Sequence, residues 1–226
     1  MRLIAEDLLL LLLDDRRGTP ASQHTDLCLG GAVLAELALL GAVTVSERKG
    51  MWRSARVRVV PGAVVEDEVL RDGLALVAQK ERSAQDLVRR LGKGLRERLG
   101  ERLVARGILQ RRDERVLGLF PRTRWPEVDS THEEQLRRQL TATLCAGAEP
   151  DERTGTLVAL LSAVDRAHRS VDHEGLSSRE VRRRAKQVAE GDWAADAVRE
   201  AVQAATAATV AAIAASSAAA SSAGSS

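Results

Sequence analysis

Aromatic residues are almost missing from this chain of 226 residues: there is no tyrosine, a single phenylalanine (Phe120) and three tryptophans, Trp52, Trp125 and Trp193. Strands favour aromatic and β-branched side chains, so a core that must be assembled from Leu, Val and Ala points to packed helices instead of a β-sandwich. Cysteine is equally scarce. Cys28 and Cys145 lie far apart in no C-x-x-C pattern, which excludes a disulfide framework and a thiolate metal site and fits reduced thiols in a cytoplasmic protein. A charge excess of one sign is also lacking: 34 Lys and Arg stand against 32 Asp and Glu, a formal net charge of +2. The chain is no polycation, and any argument for an anionic partner must rest on local charge.

Catalytic signatures are missing as well. His24, His132, His168 and His173 are scattered without an H-E-x-x-H, there is no G-x-S-x-G, and "GKG" at 92–94 lacks the upstream glycine and the following Ser or Thr of a phosphate loop. Neither catalysis, a cofactor nor a metal is expected. The carboxylates are many, but they interleave with arginines on helical stretches, where solvated i,i+4 pairing is their ordinary role.

The most apolar stretch near the start is "LIAEDLLLLLLDDRRG", with six leucines from Leu8 to Leu13. It is far shorter than the about 20 residues needed to cross roughly 30 Å of hydrocarbon. Glu6 and Asp7 sit where the apolar part of a signal peptide would begin, and no small-residue cleavage site follows. The run is expected to be a buried helix over about 3–14, apolar nearly all round.

A second helix is expected over roughly 25–40, ending at Gly41 as a C-cap, followed by a Val/Thr strand, a charged turn with Gly50 and the alternating strand "RVRVV". The unit recurs: "LRERLGERLVARGILQRRDERVLGLFPRTRWP" reads as a helix ending at Gly107, a short apolar strand, the charged turn "QRRDER" and a second strand "VLGLF" at 116–120. Two helix–Gly–hairpin units suggest duplicated, winged-helix-like building blocks, fewer than a repeat array requires. From Ser130 onward the pattern is helical. "STHE" (Ser130, Glu133) and "SSRE" (Ser177, Glu180) read as capping boxes, and "TLVALLSAVDRAH" as a central helix. A last helix over about 192–214 gives way to an Ala/Ser/Gly tail, 215–226, expected to be flexible. The fold class expected is mainly α: a single helical domain, 1–214, with two β-hairpins following helix–Gly turns.

Local charge is concentrated in residues 89–115, with ten Lys or Arg against four acids. Leu91, Leu95, Leu99 and Leu103 recur every four residues and mark a core face, while Arg89, Lys93 and Arg96 follow i, i+4, i+7 on a face largely turned away. Gly92 and Gly94 would each cost a helix interior about 1 kcal/mol; they fit a helix that begins there and presents its free N–H groups beside Lys93 and Arg96, a site suited to phosphate. An ordinary basic solvent face is the competing interpretation. In the hairpin, Leu117, Leu119 and Phe120, with Trp125 beyond them, are bracketed by Arg111, Arg112, Arg115, Arg122 and Arg124. That pattern suits insertion at a lipid interface with arginines on lipid phosphates. Packing of the strand on the core and self-association compete with it.

The ordered series "LIAEDLLLLLLDDRRG", "GGAVLAELALLGAVTV" and "LRERLGERLVARGIL" with its hairpin resembles the Golgi phosphoprotein family over nearly the whole chain to about residue 212. Eukaryotic members are peripheral Golgi proteins that bind phosphatidylinositol 4-phosphate and link glycosyltransferase tails to coat machinery. The resemblance implies a mostly helical fold with hairpins on the membrane side, and a headgroup pocket in which two basic residues map onto Lys93 and Arg96. The pocket's Trp maps near Ala21 to Gln23, where there is no aromatic residue, and its Arg maps onto Gly30. No counterpart of the basic N-terminal arm of eukaryotic members is expected. Fold and an electropositive membrane-facing surface are thus expected to carry over, and headgroup selectivity through the same contacts is not; Arg16, Arg17 and Arg90 are the residues left to compensate. Usage of Arg, Ala and Leu over Lys and Ile fits a high-GC genome, and a bacterial, actinobacterial-type homologue is expected.

These readings converge on a cytoplasmic, peripherally membrane-associated protein without enzymatic activity. Its expected partner is an anionic phospholipid surface, bound through Lys93, Arg96, Arg89 and Arg90 with Leu117, Leu119 and Phe120 as the inserting hairpin. The alternatives are a scaffold for protein cargo or self-association, and a winged-helix-like nucleic-acid binder. Against the last stand the near-neutral charge and the lack of an obvious recognition helix.

Overall fold

The computed structural model describes residues 2–13, 18–19, 24–45, 56–116, 120–191 and 196–223. It is mainly helical, with two small antiparallel sheets. Helix α1 (Ile4–Leu12) is buried along its whole length, as a short helix apolar on every side must be to satisfy its surface. It packs on α2 (Thr25–Leu39), which leads into and touches β1 (Val43–Val45), the partner of β2 (Arg56–Val59) in the first sheet.

After β2 come α3 (Glu68–Gln79), α4 (Ala84–Gly92) and α5 (Leu95–Ala105). Asp67 Oδ1 accepts the Val69 N–H at 2.8 Å and Ser83 Oγ accepts the Asp86 N–H at 3.2 Å, so α3 and α4 start on side-chain caps. The two residues Arg82–Ser83 form β3, which adds a third strand beside β2 that the sequence pattern did not announce.

The two helix–Gly–hairpin units share one termination geometry. Gly41 (φ +64°) and Gly107 (φ +73°) both take the left-handed conformation. In each, the glycine N–H reaches back three residues, to Ala38 or Val104, and the next N–H reaches back five, to Leu37 or Leu103. This double bond pattern satisfies the last carbonyls of a helix and turns the chain into a strand.

The second hairpin is shifted from its expected register. The charged segment is itself a strand, β4 (Arg112–Val116), paired with β5 (Phe120–Arg124), so of "VLGLF" Val116 ends β4, Phe120 opens the return strand, and 117–119 lie outside the described residues. The reason lies in the pairs below and along the ribbon. Leu109 bridges Glu127, and the Gln110 N–H donates to the Pro126 carbonyl, which fixes the ladder's start. Thr123 Oγ1 then donates to Asp113 Oδ1 at 2.8 Å and Arg124 meets Glu114 at 3.0 Å. Polar cross-strand pairs of this kind let a charged sequence form a ribbon.

The remaining helices are α6 (Thr131–Leu144), α7 (Glu152–Ala163), α8 (Ser178–Glu190) and α9 (Asp196–Ala223). The expected box at Ser130 is not formed. Asp129 Oδ1 takes the Thr131 N–H, the Ser130 hydroxyl donates to Glu134, and Glu133 turns inward to Arg137. Ser177 does cap α8 through the Glu180 N–H at 3.2 Å, while the Glu180 carboxylate turns to Arg183 and Arg184. The expected tail from residue 215 is helical in α9 as far as Ala223, because alanine favours helix without a tertiary partner.

Residues 200–218 of α9 are long and apolar enough to cross a bilayer by length and composition. One stripe of that stretch, Ala201, Val202, Ala205, Ala208, Thr209 and Ala212, is buried against α2, α4 and α7, as in a core helix. Small residues set the closest approaches in this core: a Cβ on Gly30 would run into the Val88 carbonyl of α4, one on Gly31 into Thr209 of α9, and one on Gly92 into the Asp26 carbonyl of α2.

Candidate functional site

The basic stretch is not one helix but two. Gly92 ends α4 against the first turn of α2, and Gly94, left-handed at φ +71°, starts α5. Arg89 and Arg90 therefore sit in the last turn of α4, Lys93 at its C-cap and Arg96 in the first turn of α5. Leu95, Leu99 and Leu103 are buried, as the four-residue spacing requires, and anchor α5 beneath them. A glycine offers no capping side chain, so the first N–H groups of α5 are left to solvent or to a ligand. The N-terminal turn of α2 lies beside Gly92, so two positive helix ends meet at this junction, partly offset by the negative C-terminal end of α4.

The four basic residues differ in what already holds them. Arg89 and Lys93 are exposed and have no ion-pair partner among the described residues. Arg90 bonds both Asp86 oxygens through Nε, at 3.0 and 2.9 Å. Arg96 lies 3.8 Å from Asp26, a loose pair with both side chains nearly half exposed. Asp26 complements the α2 dipole but also sets a negative charge where a phosphate would approach. Arg90 and Lys93 line a cleft of about 270 Å³ with Gln79, Asp72 and Arg98. Arg98 is committed there: burial works to lower its pKa, and its bonds to Asp72 and Glu68 outweigh that and raise it.

The other half of the expected pocket does not assemble. Gly30 is buried at the α2–α4 contact with no room for a side chain, so no arginine fits that position in this packing. Residues 20–23, where the tryptophan was sought, and Arg16 and Arg17 lie outside the described residues. So do Leu117 and Leu119; Phe120 opens β5 opposite Val116.

Trp125, expected near the lipid interface, is buried at 3% exposure. Its ring lies on Gly100 of α5, where a Cβ would collide with it, and the Trp125 backbone N–H donates to the Gly18 carbonyl at 2.7 Å. Three of the arginines around the ribbon, Arg111, Arg112 and Arg124, are held by protein groups. Arg111 pairs with Glu101 at 2.9 Å and Asp113 at 3.1 Å and stands 5.7 Å over the Trp125 ring; Arg112 bonds Gln110, and Arg124 forms an ion pair with Glu114.

A second charged group was missed by the sequence reading. Glu6 and Asp7, in the fully buried α1, each gather several partners. Glu6 accepts from the Leu3 N–H, Arg102 Nε and Arg106 Nη1, all at 2.9 Å. Arg102 also binds Asp67 through both Nη atoms. Asp7 meets Arg153 at 2.6 Å and His132 Nε2 at 2.7 Å. Arg153 reaches Glu36 of α2 at 3.3 Å, and Glu36 accepts the Ile4 N–H at 2.8 Å. Burial pushes the Glu36 carboxyl up to about 7, with Arg153 opposing and Asp7 adding to the rise. The available signal was two carboxylates at the mouth of a leucine run: inside a core they must be paired. Among the described residues no His, Cys, Asp and Glu cluster has a metal-holding arrangement.

With this geometry in place, comparison with known proteins gives the family. A search of curated proteins returned no match. The family model described as Golgi phosphoprotein 3 (GPP34) matches residues 4–205, from the first turn of α1 into α9. The chain belongs to the Golgi phosphoprotein 3 (GPP34) family.

Proposed function

We propose that this protein is a non-enzymatic, cytoplasmic peripheral membrane protein that docks reversibly on anionic phospholipid through the α4–α5 junction. The observation that carries the reading is the exposed Lys93 beside the uncapped start of α5, with Arg96 in its first turn and Arg89 behind it. Family membership supports it, since the resemblance implies lipid-headgroup contact at Lys93 and Arg96. Leu117, Leu119 and Phe120 would add apolar insertion from the ribbon.

A basic residue near an anionic surface contributes about 1 kcal/mol, and two of the four here already have carboxylate partners. The docking is therefore weak per site, salt-sensitive and driven by charge more than by headgroup shape. Gly30 leaves no arginine to enclose a phosphoinositide, so at matched surface charge phosphatidylinositol 4-phosphate should gain little over phosphatidylserine. Co-sedimentation with neutral vesicles, phosphatidylserine vesicles and phosphatidylinositol 4-phosphate vesicles of equal charge tests this. Binding to both anionic sets, weakened by salt, is the expected result. Binding to none of them would replace the membrane reading with a scaffold for protein contacts.

A further inference from the structure

A second cleft, of about 350 Å³, opens among α1, α6 and α7, elements that carry none of the lipid-docking residues. Its size is within the range of small-molecule sites. Leu136, Leu140 and Leu157 line it, all three buried, and Gln135 and Gln139 stand exposed at its rim. Arg2, His132, Arg153 and the carboxylates Asp7 and Asp151 supply its charge.

Most of that charge is already used. Arg153 spends its donors on Asp7, Glu36 and the Arg2 carbonyl. Asp7 is taken by Arg153 and His132 Nε2, and Asp151 caps α7 through the Thr154 N–H at 2.7 Å. One group keeps spare capacity. Arg2 Nη1 is buried with no hydrogen-bond partner among the described residues, a costly state for a guanidinium nitrogen. His132 adds no donor, because its Nε2–H is turned to the Asp7 carboxylate and the other nitrogen of that tautomer is an acceptor.

We propose that this cleft binds a small amphipathic carboxylate, its head on the Arg2 guanidinium and its apolar body along Leu136, Leu140 and Leu157. A single negative charge suits the site better than a phosphate dianion, because Asp7 and Asp151 line the same cleft and repel added charge. The inference is independent of the membrane reading, since it uses no residue of the α4–α5 junction.

Titration calorimetry with octanoate, 1-octanol and inorganic phosphate tests it, on the full chain and on two variants. Arg2→Ala removes the unpaired guanidinium, and Gln139→Trp fills the cleft from an exposed position that burdens folding little. Octanoate should bind at one saturable site. Loss of a charge-assisted hydrogen bond should weaken it about tenfold or more in Arg2→Ala, and Gln139→Trp should weaken it at least as much, with melting temperatures unchanged. A variant with Lys93 and Arg96 changed to Ala should bind octanoate as the wild type does, whatever its behaviour on vesicles. Absence of saturable octanoate binding, equal affinity for 1-octanol, preference for phosphate, or wild-type affinity in both cleft variants would overturn the proposal.

Discussion

Glu6, Asp7 and Glu36 with their arginines, and Arg89, Lys93 and Arg96 at the α4–α5 junction, are drawn from the same charged residue types on helices that pack against one another. The first group is enclosed: the three carboxylates are at most 2% exposed, and each contacts at least one arginine. The second is open, with its charges facing solvent or loosely paired. Enclosed charge acts on the fold, because a buried ion without its partner is far costlier than a solvated one. Open charge does little for the fold and is available to a partner outside the molecule. The contrast separates what holds this protein together from what it can dock with.

The largest effect expected from breaking this division is at Arg153. Changing it to Leu leaves Asp7 with His132 alone and strips Glu36 of its one cation partner among the described residues, which should cost about 3–5 kcal/mol of stability in urea at neutral pH. The loss should shrink toward pH 5, where Glu36, whose pKa burial raises, takes up a proton.

Glu36→Gln comes next. In the wild type, burial raises this carboxyl from its ordinary 4.5 to about 7. The folded state then binds a proton more tightly than the unfolded chain, so this group's contribution is fully present below pH 4.5 and is lost as pH rises through 7. The slope amounts to about 3 kcal/mol at most across that window. Gln should flatten it, as read from urea midpoints at pH 5 and pH 8. Asp67 and Asp165, whose pKa values are lowered, act in the opposite sense only below about pH 4.

Gly30→Ala probes the boundary between the two regions. Its Cβ would strike the Val88 carbonyl, so α2 and α4 must separate, at about 1–3 kcal/mol; a thermal melt measures it. The smallest effect is at Asp26→Asn, which frees Arg96 from its loose carboxylate partner. It should leave stability within about 0.5 kcal/mol and tighten binding to anionic vesicles a few-fold.

Much of the fold was legible in the chain. The leucine run flanked by acids became the buried α1, and Gly41 and Gly107 became matching left-handed helix ends, because helix termination is decided locally by φ and hydrogen bonding. The second hairpin was misplaced because charge was taken to mark a turn, whereas cross-strand Asp113–Thr123 and Glu114–Arg124 contacts stabilise a charged ribbon. Lys93 and Arg96 stood out through the adjacent glycines. Their limits did not: Asp26 is distant in sequence, and the crowding at Gly30 arises from α4 packing. The enclosed network stayed hidden for the same reason, since Glu6 and Arg102, or Asp7 and Arg153, meet only once the helices have packed.

The most direct test of the open half is co-sedimentation of the wild type and the triple variant Arg89→Ala, Lys93→Ala, Arg96→Ala with phosphatidylserine-containing vesicles, at low and moderate salt, with melting curves of both. Pelleting of the wild type that weakens with salt, and its loss in a triple variant that melts as the wild type does, is the predicted result. Equal pelleting of the two proteins, or none by the wild type, would contradict the assignment of membrane docking to this junction.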